Sequence, residues 1–219
     1  MALVYDRIAA RRKPYLESVD QLIVDSIPIP VRAMLDVGAG DGVRSRRIAG
    51  AAGIKRLAML EPSLRMRSRP GASGDFWDIR AESLDRVQER FDVVTCLWNV
   101  LGHIFPASNR IEVLRQFGRI ASPGGRIFID VNHRCNLRHY GVPMMLRFLR
   151  DRGDVVVSWD VEGTVCRTAG HVFTHREFAG LCRAAGLSIE KRYVVDYGTG
   201  QLRRLSFMGN LLYVLRPDS

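Results

Sequence analysis

Lysine is nearly missing from this sequence. It occurs only at Lys13, Lys55 and Lys191, so almost all of the 33 basic residues are arginine. Cysteine is sparse too: Cys96, Cys135, Cys166 and Cys182 are scattered, with no Cys-x-x-Cys pair. That spacing argues against a zinc site or a disulfide framework and predicts free thiols in a reducing cytoplasm. No apolar run approaches the roughly 20 residues needed to span a bilayer. The stretch MALVYDRIAARRKPYLESVD carries Asp and Glu and lacks an apolar h-region, so no secretory signal is expected. Internal repeats and low-complexity segments are absent as well.

What the chain does contain is ordinary for a folded domain. Over 219 residues, 47% hydrophobic and 26% charged, the composition fits one large domain with a single core. The formal net charge is +10. A strongly basic surface can track a phosphate backbone. These arginines, however, are spread along the chain and not interleaved with aromatic residues as stacking platforms are. Arginine-rich codon usage with solvated faces is the simpler reading; the clusters at 44–47 and 65–69 stand apart from it.

Hydrophobic periodicity gives alternating elements. Residues 15–27 carry Leu16, Val19, Leu22 and Ile23 at helical spacing, and Pro28 and Pro30 end that helix. Short apolar strands are predicted at 33–37 and 56–60 and a weaker one at 74–78. Buried β-branched strands are predicted at 91–100 and 124–132, with a helix at 108–120 between them. Such alternation means parallel βαβ units in a doubly wound sheet. Beyond 133 the pattern changes to loop and short helix, then a hairpin over 154–170. A helix over 174–185 follows, with Thr174 and Glu177 spaced as a capping box. The last two strands, in LSIEKRYVVDY and GNLLYVLR, are joined by about a dozen residues, too few for a helical crossover, so they should pair antiparallel.

Between the first strand and its helix lies LDVGAGDG, residues 35–42. A glycine turn before a helix N-terminus suits an anion, but dinucleotide binding asks for G-x-G-x-x-G. Here the third glycine arrives one position early. The terminal antiparallel pair further disfavours a nicotinamide-dependent oxidoreductase.

On these residues the chain resembles class I S-adenosylmethionine (SAM) dependent methyltransferases over most of its length. LDVGAGDG is similar to their motif I, and the family's sheet ends in the same antiparallel hairpin. The resemblance implies an α/β, doubly wound, Rossmann-like sheet of seven mostly parallel strands. It implies one domain over 1–219, with 133–170 as a small β-rich substrate cap after the fifth strand. SAM is the implied cofactor and S-adenosylhomocysteine the product. In the turn, Gly38, Ala39, Gly40 and Gly42 would let backbone approach the ligand, and Asp36 would meet the cofactor's ammonium end directly or through water. Glu61, followed by Pro62, would accept both ribose hydroxyls. Asp78-Ile79 and Ala81-Glu82 compete for the adenine pocket, and spacing does not choose between them.

FDVVTCLWNVLGHI (91–104) is similar to the family's motif IV, which places Leu97, Trp98 and Asn99 at the ligand-bearing end of a strand. The Pro-Pro-Tyr of adenine- and glutamine-modifying enzymes does not follow Asn99, and no cysteine has the Pro-Cys context of cytosine-C5 methylases. GGRIFIDVNHRCNLRHYG (124–141) is similar to a region of glycine/sarcosine-type N-methyltransferases, with Val131-Asn132 intervening and Cys135-Asn136 replacing its end. Asn132 and Arg134 become acceptor-binding candidates together with Asn99. Arg134 would hold a carboxylate fork-to-fork or simply brace a loop. Tyr5 and Tyr140 are candidate lid aromatics.

His103 and His133 are the candidate bases, needed only for a hydroxyl acceptor, since an amine need only arrive unprotonated. His171 and His175 flank a helix start without a third ligand, so no metal is expected. The function expected is cytoplasmic methyl transfer to nitrogen or oxygen of a small-molecule acceptor. The alternative is an RNA methyltransferase, whose backbone track would be the two arginine clusters; a non-enzymatic SAM-binding module is a third reading. No membrane partner is expected, and a homodimer stays open.

Overall fold

Alternating apolar strands and amphipathic helices build a central sheet with helices on both faces. The computed structural model describes residues 5–28, 30–161 and 163–218. In chain order the first half contains α1 (Tyr5–Arg11), α2 (Lys13–Ser26), β1 (Ala33–Val37), α3 (Val43–Ala51), β2 (Arg56–Leu60), α4 (Leu64–Arg67), β3 (Asp75–Trp77) and β4 (Phe91–Cys96). There follow α5 (Ala107–Ile120), β5 (Ala121–Val131), α6 (Leu137–Arg150), β6 (Asp154–Val161), β7 (Thr164–His171), α7 (His175–Ala184), β8 (Leu187–Val195), β9 (Leu202–Arg203) and β10 (Asn210–Pro217).

The sheet order is β3-β2-β1-β4-β5-β10-β8-β9. Strands β3 to β5 are parallel, and β10 runs antiparallel to both β5 and β8. The expected mostly parallel sheet with its antiparallel C-terminal pair is therefore present. Its eighth member is the two-residue β9, too short to show as a pattern in sequence. Successive strand residues point to opposite faces, and the core divides accordingly. Leu35, Val37, Ile127 and Ile129 pack under α5 and α7, whereas Met34, Val93, Phe128 and Leu212 pack under α2 and α3.

The segment between β5 and α7 carries more helix than its sequence pattern shows. Between β5 and β6 the chain forms the 14-residue helix α6, kinked where Gly141 takes φ +71° ahead of Pro143. The expected hairpin follows as β6 and β7, paired antiparallel from Asp154↔His171 to Val161↔Thr164. This segment thus holds a 14-residue helix and two 8-residue strands. The Gly141–Pro143 break hid the helical period, because proline interrupts a helix pattern and glycine weakens it.

Candidate active site

Parallel strands deliver their carboxyl ends to one edge, and connections diverge to opposite sides between β1 and β4, the position where open α/β sheets bind ligands. A cavity of about 1020 Å³ opens there. One half is walled by the β1–α3 turn, Glu61 and the end of β4; the other lies beneath α6 and the β6–β7 hairpin.

The turn is held from below. Gly38 and Ala39 both donate their N–H to the Leu60 carbonyl at 2.9 Å, which pins the loop to the end of β2. Gly38 has φ +78°, and a Cβ there would lie 2.6 Å from Val100. Only glycine fits. Glu61 accepts from Gly40 N–H at 2.9 Å and from Ser63 N–H at 2.8 Å, one bond per oxygen. It is buried, and burial pushes its carboxyl up from the usual range. A carboxylate has about four lone-pair sites, so Glu61 can serve the loop and still face a diol.

Asp36 is committed differently. Its two oxygens accept from Ser45 Oγ at 2.5 Å and Thr95 Oγ1 at 2.6 Å. Burial pushes this carboxyl up, and the two hydroxyls pull it back down. Asp36 therefore ties β1 to α3 and β4 while it lines the cavity. Beside it stands Arg44, whose Nε donates to Asp20 at 2.6 Å. Its Nη2 is buried without a hydrogen-bond partner among the described residues. An orphaned guanidinium nitrogen at a cavity wall is costly unless a ligand completes it.

At the end of β4 the chain turns through two left-handed residues, Trp98 (φ 57°) and Asn99 (φ 60°). Asp130 stabilises that turn by accepting from the Trp98 N–H and, at 2.7 Å, from Tyr15 Oη. Asn99 Oδ1 accepts from Asn132 N–H at 3.0 Å, and its Nδ2 donates to the His171 carbonyl at 3.2 Å. The Trp98 ring meets Tyr5 edge-on, with centroids 5.3 Å apart, and its Nε1 donates to Tyr197 Oη at 3.3 Å.

Among the residues singled out from sequence, the cavity gathers Tyr5, Asp36, Gly38, Ala39, Gly40, Glu61, Leu97, Trp98, Asn99, His103, Asn132 and Tyr140. Gly42 is instead the N-cap of α3, with φ 70°, and Pro62 is exposed beside the site. Neither adenine candidate is at the cavity wall. Asp78 is exposed and pairs with Arg67 at 2.7 Å, Ile79 packs on the core, Ala81 is buried and Glu82 is exposed.

His133 and Arg134 are also turned away from the cavity. His133 Nδ1 donates to the Ser206 carbonyl at 2.8 Å, and burial drives its pKa down to about 4. Arg134 donates to the Val172 carbonyl at 3.1 Å and to Glu177 at 2.5 Å, which makes it a brace for the loop after β5. His103 alone of the two candidate bases reaches the cavity. His171 and His175 go to separate partners, the first to Asp154 and Glu177 and the second to Tyr213.

Sequence reasoning missed Arg44, Arg12 and Tyr197 as cavity residues. Arg44 belonged to the cluster at 44–47, but nothing local distinguished it from its neighbours. Tyr197 lies just beyond β8 in DYGTGQ, where no local motif marks it.

A doubly wound sheet with a glycine turn at β1, a buried acid ending β2 and a cavity over the switch point defines a nucleoside-cofactor enzyme of the α/β class. The sequence matches the family described as "Methyltransferase domain" over residues 9–192, and the chain belongs to that family. It is a SAM-dependent methyltransferase. The ubiquinone biosynthesis O-methyltransferase of Ralstonia nicotianae is 29% identical over 208 residues, covering 90% of this chain and 82% of that protein. Enzymes of the same name from Pseudomonas match over about half their own length, 49% for that of Pseudomonas fluorescens. Among solved structures, DesVI of Streptomyces venezuelae superposes with a TM-score of 0.70 at 17% identity, covering 99% of this chain and 98% of that one. The DhpI–SAM–HEP complex superposes with a TM-score of 0.66 at 18% identity, covering 98% and 93%. No helix among the described residues is long and apolar enough to cross a membrane.

Proposed function

We propose that the protein methylates a hydroxyl oxygen of a small, largely apolar acceptor bound beneath the α6 and β6–β7 cap, with His103 as general base. One observation carries this reading. His103 Nδ1 lies 2.9 Å from the Ala169 carbonyl, which can only accept, so Nδ1 carries the proton. In the neutral ring the lone pair is then on Nε2, and His103 lines the cavity, where that nitrogen would take a proton from an acceptor hydroxyl. The R. nicotianae relative is by its name an O-methyltransferase, in line with an acceptor that needs a base.

The residues present fit SAM. Glu61 would hold the ribose hydroxyls, and the free edge of Arg44 would meet the carboxylate of the methionine portion. Leu97, Trp98 and Tyr5 would wall the remainder. Bound SAM supplies an already activated methyl group, so the chain's own work is alignment, water exclusion and proton removal. Met144, Phe148, Val155 and Val172 give the acceptor half apolar surface, with Arg147, Asp151 and Asp154 also lining it, and the cap covers it. His103 Nε2 takes the hydroxyl proton as the oxygen acquires the methyl group.

The arginine clusters favour a small acceptor over RNA. Arg44 and Arg47 bind Asp20, Arg46 donates to the Ser73 and Gly71 carbonyls, Arg67 binds Asp78 and Arg69 binds Asp6. Arginines committed to neighbours have less to offer a phosphate track.

The test is turnover of a panel of simple phenols and amines by the wild-type protein and His103→Gln, with S-adenosylhomocysteine binding followed by calorimetry. The variant should bind the nucleoside as the wild type does and lose about 10²- to 10⁴-fold in kcat on phenols. Undiminished phenol turnover by the variant, or turnover with RNA alone, overturns the reading.

A further inference from the structure

We infer that His171 is the positioning residue for His103: clamped between Asp154 and Glu177, it fixes the strand whose carbonyl sets the tautomer of the base. The inference rests on the reading of His103 as the base.

The clamp is visible in the geometry. His171 ends β7, opposite Asp154 at the start of β6. Its Nδ1 lies 2.6 Å from Asp154 Oδ1 and its Nε2 lies 2.6 Å from Glu177 Oε1. Ionised carboxylates only accept, so the ring is bridged between two acceptors, one on each nitrogen. It is 4% exposed. The ring rests edge-on against Phe173, with centroids 4.6 Å apart.

Charged groups from β6, α7, α5 and the segment after β5 surround this ring. Glu177 comes from the first turn of α7, where its Oε2 also closes the capping box with Thr174. Arg134, after β5, donates to Glu177 Oε2 at 2.5 Å and has its Nη2 3.5 Å from His171 Nε2. Arg110, from α5, brings Nη2 to 3.8 Å from Asp154 Oδ1 while its Nε donates to the Ile104 carbonyl at 2.9 Å. His171, Arg134 and Arg110 are buried while Asp154 is exposed, so losing Glu177 or His171 leaves a buried polar group without its partner.

The same strand end reaches the chemistry through its backbone. The His171 carbonyl accepts from Asn99 Nδ2 at 3.2 Å, in the left-handed turn that also carries Trp98. Two residues earlier, the Ala169 carbonyl accepts from His103 Nδ1 at 2.9 Å. A strand fixed at residue 171 by side chain and backbone has little freedom at residue 169. Without the clamp the root of the hairpin can shift, the Nδ1 donation is lost, and a neutral imidazole is free to place its proton on Nε2. A histidine with the proton on that nitrogen cannot accept one from the substrate.

The first readout needs neither cofactor nor turnover. In the full-length protein labelled with ¹⁵N-histidine, the His103 ring should show the Nδ1–H tautomer in the wild type. In His171→Gln it should show a mixture or the Nε2–H tautomer. Asp154→Asn, at a side chain 67% exposed, provides a second variant should His171→Gln fail to fold, with the same direction of change expected.

Kinetics provide the second readout. Phenol turnover should lose about 10²-fold or more in kcat, as a wrong tautomer does in other base-catalysed enzymes. Acceptor KM and S-adenosylhomocysteine affinity should hold, and the acid limb of the kcat–pH profile should move. Retention of the Nδ1–H tautomer in both variants overturns the inference, whatever the turnover. If the tautomer switches while His103→Gln still turns over phenols normally, the positioning stands and the reading of His103 as base falls.

Discussion

The hydroxyl of Tyr15 donates to Asp130 Oδ2 at 2.7 Å, joining α2 to the end of β5 across 115 residues of sequence. The other oxygen of Asp130 receives the Trp98 N–H. One buried carboxylate thus connects the helix that covers the sheet to the turn that walls the cavity. Tyr15→Phe removes one of its donors. Burial already pushes the Asp130 carboxyl up, and a buried acceptor left short of a partner costs about 1–3 kcal/mol. A midpoint fall of roughly 2 to 12 °C in thermal unfolding is expected, along with weaker S-adenosylhomocysteine binding as the Trp98 turn loosens.

Gly38→Ala should abolish cofactor binding. Its φ of +78° is strained for alanine, and the added Cβ would meet Val100 at 2.6 Å. The strain alone is worth about 1–3 kcal/mol. In Gly38→Ala/Val100→Ala the clash is relieved while the backbone strain stays, so partial recovery of binding by calorimetry is the expected result.

Arg44 offers a test that dissects the cofactor. 5′-Methylthioadenosine shares the nucleoside of S-adenosylhomocysteine and lacks its amino-acid portion. Arg44→Met should weaken S-adenosylhomocysteine by about 10- to 100-fold, the worth of a hydrogen bond to a charged group, and leave methylthioadenosine nearly unchanged. Equal losses for both would place Arg44 in support of the fold through Asp20, away from the carboxylate.

His133 predicts a pH dependence of stability. Its pKa falls from 6.5 to about 4 in the folded protein, chiefly through burial. A lowered folded value means that the unfolded chain binds the proton first, so this contribution is complete above 6.5 and is lost as pH falls toward 4. His133→Asn, whose amide can still donate to the Ser206 carbonyl, should flatten the acid side of the melting-temperature profile between those values. A profile parallel to the wild type would contradict the burial argument.

Much of the architecture was legible in sequence because its signals are local. The bounds of β1 and β2 follow from the short, mostly apolar runs AMLDV and RLAML, and α7 from the Thr174–Glu177 capping box. The glycine turn is equally local: three left-handed glycines within five residues leave few alternatives. Helix α1 was missed, as was most of α6, where Gly141 and Pro143 break the period.

The polar residues of the site were legible only in part. His103 and His133 are both histidines just beyond strands, and Arg44 and Arg134 both belong to basic stretches. Sequence treats each pair alike. Tertiary structure separates them by supplying partners from far along the chain: Glu177, 43 residues away, consumes Arg134, while Asp20 takes one edge of Arg44 and leaves another open. Period and turn chemistry are properties of neighbouring residues, so the sequence alone determined the sheet, its terminal hairpin and the motif I turn. A polar group's role depends on what else is buried against it, and only the folded chain decides that.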